Sequence, residues 1–216
     1  RRAVEVGNDE TLSPIIIADV ADNPGAGSRG NTTWLLSGLH EAGAVGVILG
    51  VFFDAALAAE AHALGVGKTF AARFNRDEAS PYSKPFEAEA KVCALSSGDL
   101  VGRPGGSVAG RTIQLGPTAA LELGGVTVVV VSNRVQCFDS GFFETFGVDV
   151  EAARTVVVKS RGHFRAGFAH LFTPDQILEA DTPGLSSPNL ANFTFSGYRR
   201  PIFPLDAETA WQPPDW

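Results

Sequence analysis

The chain has 216 residues, 44% hydrophobic and 19% charged, which is enough apolar material for a substantial core and too much for wholesale disorder. Lys and Arg number 17 against 24 Asp and Glu, and a net charge of −7 argues against nucleic acid or an anionic membrane as a partner. No apolar run approaches the ~20 residues that a bilayer span needs. The opening Arg1-Arg2-Ala3-Val4-Glu5 lacks a signal-peptide pattern, so a cytoplasmic protein is expected.

In chain order, residues 14–20 read as a buried strand, followed by a Gly-rich loop and a helix over 31–41. A second apolar run covers 44–53. An alanine-rich helix follows over 54–64, stopped by Gly65 and Gly67, and then a third strand over 68–75. This β-α-β-α-β order predicts a parallel sheet covered by helices. Residues 76–85 carry charges, Ser and two prolines and read as a loop. Between 86 and 132, loosely alternating segments separated by Gly-rich stretches indicate antiparallel hairpins that are inserted in the fold or extend it. A short helix over 138–146, a strand over 155–159 and a helix over 164–171 complete the pattern. From residue 181 on, six prolines predict an irregular tail wrapping the surface. The expected fold class is α/β, a mostly parallel sheet with helices on both faces and a hairpin-rich insertion.

Cys93 and Cys137 are far apart in apolar segments with no C-x-x-C spacing, so both are expected to be buried, reduced thiols. The chain contains no methionine, from which we expect it to be part of a longer protein that lacks here its amino-terminal portion.

Two strand-to-helix junctions concentrate the polar chemistry. The first is A-D-V-A-D-N-P-G-A-G-S-R-G-N-T-T at 18–33 and the second T-V-V-V-K-S-R-G-H-F-R-A-G-F at 155–168. In α/β sheets such junctions lie at the carboxyl ends of strands, where ligands bind. Gly25-Ala26-Gly27-Ser28-Arg29-Gly30 matches G-x-G-x-x-G, but Ala21-Asp22-Asn23-Pro24 separates it from the strand and sets carboxylates against any diphosphate, so a nucleotide site is disfavoured. The same intervening residues break the strand–nucleophile–helix succession that a hydrolase elbow requires, which leaves Ser28 as a cap rather than a nucleophile. His40-Glu41 lacks a second histidine at Ala44. His163 and His170, seven apart, would stand ~10 Å from each other along a helix. No metal-ligand set is visible in this chain.

Lys159, Ser160, Arg161, His163 and Arg165 follow a strand of pure valine. Arg165 is suited to grip a carboxylate, and His163 to shuttle a proton or donate to an oxyanion. The competing reading is a solvated basic helix entrance with Arg165 paired to a surface acid. For Asp22 and Asn23 the competing reading is an Asx turn that braces the loop.

These residues carry a resemblance. A-D-V-A-D-N-P-G-x-G-S-x-G at 18–30, V-V-V-K-S-R-G-H-F-R-A at 156–166 and R-P-I-F-P-L-D at 200–206 resemble, in the same order, the carboxy-terminal domain of the microcystinase C (MlrC-like) metallopeptidases. Ala26 stands where many members have Gly, and Asn31 where many have Asp. The resemblance covers essentially residues 1–216. It implies a zinc-dependent peptidase or amidohydrolase of about twice this length, acting on small peptides or amides. Its zinc ligands, an Asp and histidines, would belong to an amino-terminal domain, the partner of this one, and no position here matches them. In that setting His163 is the expected catalytic residue, and Arg165, Lys159, Asp22 and Asn23 are expected to bind or orient substrate. The alternative is a non-catalytic interdomain scaffold or regulatory ligand-binding module. A nucleotide-dependent oxidoreductase is the weakest reading.

Overall fold

The computed structural model describes residues 1–77, 80–210 and 212–213. A short helix α1 (Arg2–Asn8) precedes strand β1 (Ile15–Asp19), whose carboxyl end runs into two consecutive 3-10 turns. Helix α2 (Trp34–Glu41) begins three residues later than expected, because residues 31–33 spend their polar groups on neighbouring loops. Strand β2 (Val47–Phe53) leads to α3 (Ala55–Leu64), where the Asp54 carboxylate accepts the Leu57 N–H at 2.9 Å as an N-cap. Gly65, at φ +86°, ends the helix in a conformation that L side chains rarely adopt.

Strands β3 (Thr69–Phe74) and β4 (Phe86–Ser96) form a ribbon, and β5 (Asp99–Val101) pairs with β6 (Thr112–Gln114) in a separate hairpin. Strands β7 (Thr118–Leu123) and β8 (Val126–Val131) make a third hairpin around Gly124-Gly125. The chain then passes through α4 (Gly141–Glu144), β9 (Thr155–Val158), α5 (Phe164–Gly167) and β10 (Ile177–Ala180). Eight strands form one sheet in the order β10-β1-β9-β2-β8-β7-β4-β3. The five from β10 to β8 are mutually parallel, and β7, β4 and β3 extend the sheet antiparallel.

The α/β architecture with hairpins is therefore as the sequence indicates, with one change of topology. The third strand, β3, is not a parallel neighbour of β2 but an antiparallel edge strand. Strand β4 is shared. Its second half pairs with β7 and its first half with β3, so the ribbon carries the segment after β3 back to the carboxyl edge of the parallel strands. There Tyr82 O accepts from Trp34 Nε1 at 2.6 Å, and Lys84 O from Thr33 Oγ1 at 2.8 Å. The last helix is also shorter than the expected 164–171, and Cys93 is exposed while Cys137 is buried. Helix α1 and strand β10 carry too few periodic apolar positions to be read from sequence.

Alternate side chains of the central strands enter two cores. Leu49, Val128, Val130 and Val157 face Leu36 and Leu39 of α2 and Leu57, Ala58 and Ala61 of α3. Ile16, Ile48, Val129, Val156 and Val158 face Phe142 and Phe143 of α4 and Phe164 and Phe168 near α5. Burial on both faces is why these strands read as unbroken Val/Ile runs. Gly50 lets Phe143 lie on the sheet, since a Cβ there would stand 2.8 Å from its Cε1. Phe143→Ala should lower unfolding free energy by about 3–5 kcal/mol, read from the urea midpoint at unchanged m-value.

Candidate functional site

Strands β1 and β9 are parallel neighbours with Ala18 opposite Val158, so Asp19, the last residue of β1, and Lys159, the first past β9, stand side by side at the carboxyl edge. Lys159 is 1% exposed. Its Nζ donates to Asp19 Oδ2 at 3.1 Å, Asp22 Oδ2 at 2.7 Å and Thr32 O at 2.8 Å, and lies 5.5 Å from the centre of the Phe52 ring. These three short contacts match the three N–H bonds of an ammonium, with Thr32 Oγ1 a longer fourth acceptor at 3.3 Å.

Asp22 is equally committed. Oδ1 accepts from Gly30 N at 2.9 Å, and Oδ2 accepts from Thr32 N at 2.7 Å and Thr32 Oγ1 at 3.0 Å. Asp19 Oδ1 accepts from Thr182 Oγ1 at 2.9 Å, which ties in the segment after β10. The Asn23 side chain turns back to accept from Gly25 N at 2.9 Å, while its own N–H donates to Ser186 Oγ at 2.9 Å. Ser28, 1% exposed, donates to Ala21 O at 3.1 Å and bonds Ser186 Oγ at 3.0 Å. The two polar loops thus converge on the same edge of the sheet, and at the convergence point they are buried.

Burial alone would strip charge from all three ionic groups. At Asp19 burial prevails and raises its pKa, with the Lys159 charge only partly offsetting it. At Asp22 burial is outweighed by the Lys159 ammonium and the N–H groups of Thr32 and Gly30, so its pKa is lowered. At Lys159 burial is outweighed by the two carboxylates, and its pKa is raised. With both acids ionised the cluster carries one surplus negative charge, and Asp19 is the group that takes up the first proton.

The remainder of the second loop points outward. Ser160 N–H donates to Val158 O at 2.9 Å in a three-residue turn that ends β9 and swings the following residues to the rim. His163 is exposed. Its Nδ1 lies 3.1 Å from Gln136 Oε1, and its ring sits 6.0 Å from that of Phe138. Gln136, in the segment after β8, also reaches Ser160 Oγ at 2.5 Å. Arg165 Nη2 meets Glu179 Oε1 at 2.7 Å on the exposed surface.

The structure therefore joins Lys159, Asp22 and Asp19 in one cluster with Asn23 beside it, and places His163 and Arg165 outside that cluster. Lys159 and Asp22, expected to contact substrate, have their polar atoms taken by one another and by backbone. Gln136, Thr32, Thr182 and Ser186 were missed. A lone Gln in the apolar run V-Q-C-F was the signal available for the first. A cavity of about 240 Å³ adjoins the first loop, lined by Arg29, Asn31, Asp54, Asn75, Arg76 and Asp77 among others. A wider groove of about 480 Å³ lies at the opposite, amino ends of β2 and β8, away from these side chains. Among the described residues no group of three or more His, Cys, Asp or Glu is arranged to hold a metal, so the residues present do not fit a zinc ion. Among them, too, no helix is long and apolar enough to cross a membrane.

A model of the MlrC C-terminus family matches residues 17–197, which include both polar loops. The chain belongs to the MlrC C-terminus family. Among relatives of this MlrC C-terminus domain, Microcystinase C of Sphingomonas sp. is 24% identical over 168 residues, which are 78% of this chain and 32% of that protein. The crystal structure of "Putative metallopeptidase from Mesorhizobium sp. BNC1" superposes with a TM-score of 0.79 at 22% identity, over 98% of this chain and 41% of that one. The chain thus spans about a third of the curated relative and two fifths of the solved one.

Removing Lys159 leaves two buried carboxylates without their counter-ion. Lys159→Met should cost about 3–5 kcal/mol in denaturant unfolding at pH 7, and less once Asp19→Asn and Asp22→Asn are added. The two acids should also separate with pH. The lowered pKa of Asp22 stabilises the fold above its unfolded value, and this is lost as pH falls through its folded value. The raised pKa of Asp19 opposes folding at neutral pH, a cost relieved as pH falls. Asp22→Asn should therefore destabilise more than Asp19→Asn at pH 7, with the gap narrowing below about pH 4, measured by urea unfolding at both pH values.

Proposed function

We propose that this chain is the carboxy-terminal domain of a zinc-dependent metallopeptidase or amidohydrolase acting on small peptides. In this reading it forms the substrate-facing wall of a cleft whose zinc is held by a separate amino-terminal domain of the same protein. The observation that carries the reading is His163. It is exposed at the carboxyl edge of a sheet whose loops are locked from beneath by the buried Lys159, in a chain of the MlrC C-terminus family. Membership of that family, and relatives two to three times longer, support the division between domains. The free thiols of Cys93 and Cys137 suit a cytoplasmic setting.

The residues divide the work by depth. His163 exchanges a proton with the substrate amide or its leaving amine. Arg165 binds a substrate carboxylate by giving up Glu179, an exposed partner whose loss costs little. Lys159, Asp22 and Asn23 act from below and fix the loop conformation that presents these groups. The burial of Lys159 and Asp22 also favours a second reading, a non-catalytic interdomain scaffold in which the same brace holds a docking surface.

Kinetics of the full-length enzyme separate the two. His163→Ala should lower kcat by roughly 10²–10³-fold with little change in KM, Arg165→Ala should mainly raise KM, and zinc content should be unchanged in both. Folded variants with wild-type kinetics would establish the scaffold reading. The present chain alone should bind zinc weakly, and a stoichiometric, chelator-resistant zinc in it would overturn the division of labour.

A further inference from the structure

Gln136 is 3% exposed and reaches three residues on the two polar loops with one amide group. Nε2 donates to Ser160 Oγ at 2.5 Å, and Oε1 stands 3.1 Å from His163 Nδ1. The third contact distinguishes the two ends of the amide. A Cβ built on Gly25 would lie 2.1 Å from Oε1, so a Gly25 Cα–H points at that atom. An oxygen accepts such a C–H, whereas an amide NH2 would oppose it. The close approach also explains why a glycine follows Asn23-Pro24, since any side chain at position 25 would displace Gln136.

A carbonyl oxygen can only accept, so the partner it faces on the imidazole must carry the hydrogen. The Phe138 ring lies beside the imidazole, and no side chain among the described residues bonds to Nε2. We propose that Gln136 is a positioning residue that holds His163 as the Nδ1–H tautomer, so that the neutral ring meets substrate with Nε2 as a proton acceptor. This rests on the reading that His163 faces substrate, and it assigns a direction to the chemistry. A neutral His163 cannot donate from Nε2. Any proton it gives to a leaving amine must first have been taken up at Nε2, and on giving it the ring returns to Nδ1–H. The bond made by one ring nitrogen thus sets what the other can do.

Nitrogen-15 spectra of the four histidines of this chain, at a pH where His163 is neutral, test the assignment, with His163→Gln identifying its signals. The wild-type ring should show a protonated Nδ1 and a bare Nε2. In Gln136→Leu the ratio of Nδ1–H to Nε2–H should fall roughly three- to tenfold, the worth of one hydrogen bond, and Gln136→Glu, which keeps an acceptor, should retain the Nδ1–H form. Nε2–H as the main wild-type tautomer, or an unchanged ratio in folded Gln136→Leu, would overturn the proposal. If the Leu variant does not fold, the wild-type and Glu spectra decide it. These spectra need no substrate, so their outcome is independent of the His163→Ala kinetics that test the role of His163 itself.

Discussion

A single ammonium group governs the carboxyl edge of this sheet. An ion of that size taken out of water costs several kcal/mol even after the surroundings relax, and only a closed set of acceptors at bonding distance recovers it. Lys159 obtains that set from Asp19, from Asp22 and from the carbonyl of Thr32, 140, 137 and 127 residues earlier in the chain. The loop between β1 and α2 cannot shift without leaving a buried charge exposed to apolar surroundings. Asp22 passes the constraint on, because its carboxylate binds the N–H groups of Gly30 and Thr32 and so closes the glycine-rich turn. Through Thr182 the same constraint reaches the segment after β10.

This cluster separates polar residues that share a motif into two kinds. Along V-V-V-K-S-R-G-H-F-R-A the lysine points inward and the histidine outward, with Ser160 as the turning point. The inner residues Lys159, Asp19 and Asp22 are buried and bonded to one another and to the surrounding loops. His163 is held through a neutral amide, and Arg165 through an exposed carboxylate that exchanges readily with solvent. The combination of a rigid base with replaceable partners at the rim is suited to presenting side chains toward a second surface.

Much of the fold was legible because burial on both faces leaves a plain signature. The runs at 15–18, 47–53 and 155–158 read as strands of the parallel sheet, whereas the run at 126–131, which reads as part of the hairpins, also pairs in parallel with β2. The direction of β3 was not legible, since alternation of helix and strand says nothing of a strand such as β4 that divides its two halves between different partners. The two polar junctions were legible as a shared edge. The depth of Lys159 was hidden, because a cation at the end of a valine run looks the same whether it enters solvent or finds carboxylates far away in sequence. Gln136 was hidden for the opposite reason. Its neutral side chain bears no mark of chemistry until the atoms on either side of it are seen.

The order of strands in the sheet has a bearing on how the chain is made. β1 has its two neighbours, β9 and β10, near the other end of the sequence, so its pairing demands among the longest loop closures in the molecule. During synthesis the β7–β8 hairpin can form from local contacts, whereas β1 emerges well before β9 and β10 and must wait for both flanks. Until residue 159 appears, Asp19 and Asp22 remain hydrated carboxylates on an unpaired apolar segment, and their charge discourages association with other nascent chains. The two carboxylates that are buried in the finished structure first serve as a solubilising tag on a strand that waits for its partners.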